Sequence, residues 1–211
     1  MKIFLSFFFT FVFMAYKEGI GENGKLPDYV LKSIDTGQKL YKPASISYMR
    51  MKKDAKKNGV TILLNGDYSG YRPCGKKGDY TQRKCKDGFT QWCAWEQYKA
   101  GVGNLASNPT DSNGCSSNHG YGMAIDVKGS DAKKWIRKNG EKYGWWWGEA
   151  QGEDWHFTYD LKKDKYLDKK DIPKKPNEKG KWKSVLLYSS IAIAVVGLAY
   201  GFYRLTRPKI K

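Results

Sequence analysis

The sequence predicts an α+β domain. Helix-like and strand-like stretches follow one another at unequal lengths, long loops separate them, and no segment repeats; a regular parallel βαβ wind would alternate more evenly. Residues 44–57 (ASISYMRMKKDAKK) read as a helix that Asn58-Gly59 stops, and 60–65 (VTILLN) follow as an apolar strand. Residues 90–100 carry Trp92 and Trp95 three apart, with Gly101 just beyond, which predicts a second helix. Residues 123–127 read as a buried strand. Ser130 is positioned to cap a helix carrying Trp135 and Ile136, Asn139-Gly140 to end it, and 155–159 to form another strand.

A chain of 211 residues has room for about one ordinary domain with appendages. Its formal net charge of +17 would suit a nucleic-acid reader if the excess formed a patch on the body. Much of it instead lies in residues 161–183 and at the C-terminus, so no nucleic-acid partner is expected. Hydrophobic residues make up 40 %, enough for a core, which excludes a disordered chain.

Both ends look like membrane segments. Ile3 to Tyr16 is uncharged and lies between Lys2 and Lys17. As a helix it would span only about 21 Å, against a hydrocarbon core of roughly 30 Å. Residues 1–16 therefore read as a signal peptide, or, because Ala15 is the only small residue near a cleavage point, as an uncleaved signal anchor. Val185 to Tyr203 is uncharged with tyrosines near its ends, and it predicts a transmembrane helix over 184–204 followed by a basic tail at 205–211. Residues 161–183 read as a Lys- and Pro-rich tether, either a solvated spacer or a segment drawn to wall polymers and anionic lipid headgroups. Residues 17–160 form the expected domain, anchored to a membrane on its extracytoplasmic side.

Four cysteines at 74, 85, 93 and 115 lie behind this signal-like start, which implies two disulfides with three possible pairings. A four-thiolate zinc site would need close C-x2-4-C pairs, and the spacing contains none.

The two histidines carry the chemistry. His119 stands in Ser117-Asn118-His119-Gly120-Tyr121-Gly122-Met123-Ala124-Ile125-Asp126, and His156 in Glu153-Asp154-Trp155-His156-Phe157. Two imidazoles and a carboxylate suit zinc, and catalytic zinc sites commonly use three protein ligands. Asp126 sits within an apolar strand, where an unpaired carboxylate is costly and a metal partner is expected. Glu153 is left to take a proton from an attacking water.

These stretches, S-x-H-x-x-G-x-A-x-D followed by E-x-W-H, resemble the signature of the zinc D-Ala-D-Ala carboxypeptidase (VanY-like) family, which includes phage endolysins cutting L-Ala-D-Glu bonds in peptidoglycan. Ser69-Gly70-Tyr71-Arg72 is similar to the family's S-G-Y-R segment. Asn23-Gly24-Lys25-Leu26-Pro27 and Gly103-Asn104-Leu105-Ala106 look like stretches of the endolysin branch. The resemblance spans about residues 23 to 160. It implies a small antiparallel sheet with helices around it, Zn2+ held by His119, Asp126 and His156, Glu153 as catalytic base, and Arg72 as a substrate-binding residue of the catalytic site.

The chain departs from the pattern in two places. A longer, cysteine-containing loop precedes His119, and Asp154 replaces a proline common in the family, which makes it a minor alternative to Glu153 as base. Arg72 is chemically suited to hold a substrate carboxylate or to polarise a carbonyl. Ser117 is expected beside the substrate, orienting the loop and not acting as a nucleophile, since no third histidine exists to activate it. The run Trp145-Trp146-Trp147 reads as half core and half surface, with a groove wall as the other possibility. The expected activity is a membrane-tethered zinc peptidase acting on peptidoglycan stem peptides. A non-catalytic zinc-containing wall or membrane binding protein is the alternative.

Overall fold

A computed structural model describes residues 20–109, 114–150 and 152–174. The chain starts with a hairpin of β1 (Leu31–Ser33) and β2 (Lys39–Tyr41). Helix α1 (Lys42–Lys57) follows with Pro43 in its first turn, where a missing N–H costs no helical bond. Ala44, Tyr48, Met51 and Ala55 recur at helical spacing and are buried, so α1 offers one apolar stripe to the sheet. The helix ends at Asn58, and Gly59 takes a left-handed φ of 74°.

The main sheet has four strands in the order β3-β6-β8-β7, all neighbours antiparallel: β3 (Leu63–Leu64), β6 (Ala124–Lys128), β7 (Tyr143–Trp147) and β8 (His156–Asp164). Its core centres on Trp145, Tyr143, Tyr159 and Phe157, each fully buried. The edge of one ring in the Tyr48–Trp145 pair meets the face of the other, at 6.4 Å between centroids, joining α1 to β7. A small hairpin, β4 (Tyr80–Thr81) and β5 (Lys84–Cys85), turns through Gln82 and Arg83, both at positive φ. Helices α2 (Gln91–Lys99) and α3 (Ser130–Asn139) complete the fold.

The α+β class and the antiparallel sheet are as expected, with local corrections. The strand expected at 60–65 pairs only over Leu63–Leu64. Ser130 is the first helical residue, because Gly129 at φ 88° makes the N-cap. The Trp run is strand β7. The compact body does not stop at 160: β8 continues through buried Leu161 and Asp164, and Ile172 still packs on the core, so its boundary is Pro173. The first twelve residues of the supposed tether are thus held by the sheet and its flank. Among the described residues no helix is long and apolar enough to cross a membrane, and residues 1–16 and 184–204 lie outside them.

The cysteines pair as Cys74–Cys115 and Cys85–Cys93, which selects one of the three connectivities and leaves no thiol for a metal. The first bridge joins the segment after Arg72 to the loop before His119. The second fastens β5 to α2.

Candidate metal centre

Asp126 and His156 are direct cross-strand partners on β6 and β8. Residues opposite one another on antiparallel strands share a face, so register alone places the two side chains together. His119 arrives from a 3-10 turn, Asn118–Tyr121, that runs into β6. The Ser117 hydroxyl caps this turn by accepting from His119 N at 3.3 Å, and Gly122 closes it at φ 62°. One ligand atom from each of His119, Asp126 and His156 lies within 4.8 Å of the other two.

The hydrogen bonding of the buried His119 ring makes this a fitting seat for a cation. Nδ1 stands 2.9 Å from the carbonyl oxygen of Gly70, so the ring donates its N–H there. Its Nε2 then turns a lone pair toward Asp126 Oδ1 at 3.3 Å. Burial lowers the His119 pKa and favours the neutral ring, with Asp126 acting in the opposite direction. Two acceptors therefore face each other, an arrangement that a positive ion between them would satisfy. His156 Nδ1 lies 3.1 Å from the same carboxylate oxygen, and its Nε2 lies 3.4 Å from Thr158 Oγ1. Burial alone would raise the Asp126 carboxyl, but the flanking imidazoles outweigh it and hold the carboxyl well below the usual range.

Glu153 comes from the turn before β8. Its carboxylate is 3.7 Å from His156 Nδ1 and only 14 % exposed, beside the three ligands but outside their set. Burial raises its pKa, with the His156 charge as the main opposing influence. Asp154 turns the other way: its carboxylate is 2.5 Å from Lys133 Nζ on α3, and its backbone carbonyl accepts from Arg137 Nη2 at 3.0 Å.

Arg72 reaches the centre from the opposite wall. Its Nη2 is 3.5 Å from Asp126 Oδ2 and donates to the carbonyl of Tyr68 at 3.1 Å. The buried Nε has no hydrogen-bond partner among the described residues. Burial lowers the Arg72 pKa while Asp126 and Glu153 oppose that shift.

A cleft of about 550 Å³ opens over the centre. Arg72, His119, Asp126, Glu153 and His156 all line it, and so do Ser117 and the loop from Gly103 to Ala106. The Trp145–Trp147 run does not wall it. Trp145 is in the core, and Trp147 uses its indole N–H to hold the carbonyl of Glu153 at 3.1 Å; the tryptophan in the cleft wall is Trp155.

Sequence reasoning missed a buried amide clasp behind the site. Asn23 Nδ2 donates to the carbonyl of Ser117 at 2.9 Å, and Gln91 Oε1 accepts from Ser117 N at 3.1 Å. Gln91 Nε2 donates to Asn23 Oδ1 at 2.8 Å and reaches the Arg72 carbonyl at 3.3 Å. Two side chains far apart in the sequence thereby fix both the His119 turn and the backbone of Arg72. The motif around Asn23 was the one signal that pointed here.

No protein-family model matches the chain, and no curated protein matches it. Among solved structures it is similar to a vancomycin-resistance D,D-pentapeptidase VanY in complex with Zn(II), at 17 % identity and a TM-score of 0.42 over 61 % of this chain and 77 % of that one. It is similar to the LdcB LD-carboxypeptidase at 18 % identity and a TM-score of 0.45, over 66 % of this chain and 74 % of that one. DacB from Streptococcus pneumoniae D39 shows 20 % identity and a TM-score of 0.40, over 69 % of this chain and 77 % of that one.

Proposed function

We propose that this chain is a zinc-dependent peptidase hydrolysing peptidoglycan stem peptides, of D-Ala-D-Ala carboxypeptidase or L-Ala-D-Glu endopeptidase type. The observation that carries this reading is the convergence of His119, Asp126 and His156 within 4.8 Å, with Glu153 beside them at the floor of an open cleft. A structural zinc site normally closes its shell with four protein ligands, whereas three with an adjacent carboxylate suit hydrolysis.

His119, Asp126 and His156 would hold the ion, which supplies Lewis acidity toward a carbonyl oxygen and a water. Glu153 takes the proton from the attacking water and delivers it to the leaving amine, and its burial keeps its proton affinity above that of an exposed glutamate. Arg72, in the cleft wall, holds a carboxylate of the peptide. Ser117 holds the His119 turn at the cleft wall.

The same reading places residues 184–204 in a membrane, with the peptidase domain on the extracytoplasmic side. Protease added to spheroplasts is expected to digest the domain and spare the C-terminal tail; a domain protected until lysis would refute that topology. For the activity, the full chain in detergent is incubated with purified peptidoglycan and the released fragments are read by mass spectrometry. A single new terminus type identifies the bond. No release by a zinc-loaded chain would refute catalysis and leave a zinc-containing wall-binding protein.

A further inference from the structure

The Arg72 guanidinium is gripped at one end only, through Nη2, by the Tyr68 carbonyl and the Asp126 carboxylate. Both polar contacts are made by one nitrogen, and Nε has no hydrogen-bond partner among the described residues, so the Nε side of the group is held by no polar contact. The group also meets an aromatic face: Arg72 Cζ lies 5.1 Å from the centroid of the Phe89 ring, within cation–π range. Phe89 is half-buried in the cleft wall and is itself backed by Tyr68, stacked at 4.7 Å with 25° between the planes.

The segment carrying Phe89 is anchored well beyond what a surface loop needs. Thr90, the next residue, is buried, caps α2, and donates its hydroxyl to Asp79 at 2.7 Å. The Cys85–Cys93 bridge brackets Phe89 in sequence, and Glu96 accepts from the backbone N–H groups of Gly78 and Tyr80 at 2.6 and 2.8 Å. A hairpin that contributes no side chain to the metal centre is thus locked to α2 on both sides of one ring, and that ring lies against Arg72.

We propose that Phe89 is a positioning residue for substrate binding: its ring face fixes the plane of the Arg72 guanidinium so that the group meets a substrate carboxylate edge-on. This rests on the peptidase reading above, in which Arg72 binds the peptide. A group that acts by orienting a ground-state contact changes KM and leaves kcat alone.

The test uses the full chain loaded with zinc and a peptide that the parent cleaves, either N-acylated and ending in D-Ala-D-Ala or containing L-Ala-D-Glu. Phe89→Leu keeps an apolar side chain and removes the π face, so KM should rise about two- to fivefold with kcat unchanged. Phe89→Tyr keeps the face and should match the parent. A second readout is independent of turnover: in 15N-labelled protein, Phe89→Leu should shift the Arg72 Nε–H resonance as the ring current is lost, and Phe89→Tyr should not. Zinc content should equal the parent's in both variants. An active parent whose Phe89→Leu variant keeps KM and the Arg72 resonance overturns this inference alone. A Phe89→Leu variant that loses zinc, or a Phe89→Tyr variant as impaired as it, makes the ring mere scaffolding and also overturns it. A parent inactive on every such peptide removes the peptidase reading, and this inference with it.

Discussion

Glu153 and Asp154 are adjacent in the chain and face opposite surroundings: the Glu153 carboxylate lies 3.7 Å from His156 Nδ1 in the cleft, and that of Asp154 lies 2.5 Å from Lys133 Nζ on the outer face of α3. The turn into β8 separates them. Glu153→Gln keeps shape and hydrogen-bonding reach while removing the basic oxygen. Turnover should fall roughly 10²- to 10⁴-fold, or about 3 to 5 kcal/mol of barrier, with zinc still bound. Asp154→Asn should stay close to the parent, because its carboxylate is exposed and pairs with Lys133 outside the metal centre. Steady-state kinetics on matched preparations check this, and a dead Asp154→Asn beside an active Glu153→Gln would exchange the two roles.

Removal of any one of His119, Asp126 and His156 takes away a third of the expected ligand set. Each alanine variant should purify without stoichiometric zinc, as read by elemental analysis, while keeping the parent's far-ultraviolet circular dichroism. Full occupancy in His156→Ala would show that the ion sits elsewhere.

Gly120 has no room for a methyl group. A Cβ there would overlap Asn23 Oδ1 and Gln91 Nε2, the two ends of the hydrogen bond in the amide clasp. Gly120→Ala should cost about 1 to 3 kcal/mol by overpacking. It should also weaken zinc binding about 10- to 100-fold, as loss of a supporting shell does. Denaturant melts and competition with a chromophoric chelator measure the two effects separately, and a variant with parent-like affinity would show that the clasp does not support the ligand turn.

The two disulfides close loops of unequal length, with sequence separations of 41 for Cys74–Cys115 and 8 for Cys85–Cys93. On chain-entropy grounds the long one contributes about 4 kcal/mol and the short one about 2.5 kcal/mol. Paired serine variants should therefore rank in that order in urea unfolding. The reverse order would mean that native contacts, and not loop closure, govern the difference.

The periodic elements were legible in the sequence and the non-periodic ones were not. Helix α1 is two residues longer than read, at 42–57, because Pro43 is tolerated in a first turn. Strand β7 escaped notice since Tyr-Gly-Trp-Trp-Trp has no alternation; a register shift between Tyr143 and Trp145 breaks the pattern at Gly144. Hairpin β1–β2 is too short to leave a period-two signal. His119, Asp126 and His156 were grouped by motif and are brought together in space. Gln91 and Asn23 could not be grouped so, because no local rule links two amides that meet only through tertiary packing.

The pairing of Asp126 with His156 across β6 and β8 makes the centre a check on the assembly of the sheet. A slip of one residue between these strands would reverse the face presented by His156 and leave the hydrogen-bond ladder largely intact. Such a misregistered chain would lack a ligand. Metal in the growth medium would then act as a folding sensor: it binds the correctly paired population and withdraws it from exchange with the slipped one. Chains folded under chelation should accordingly contain a fraction that later addition of zinc rescues only as slowly as strands re-pair.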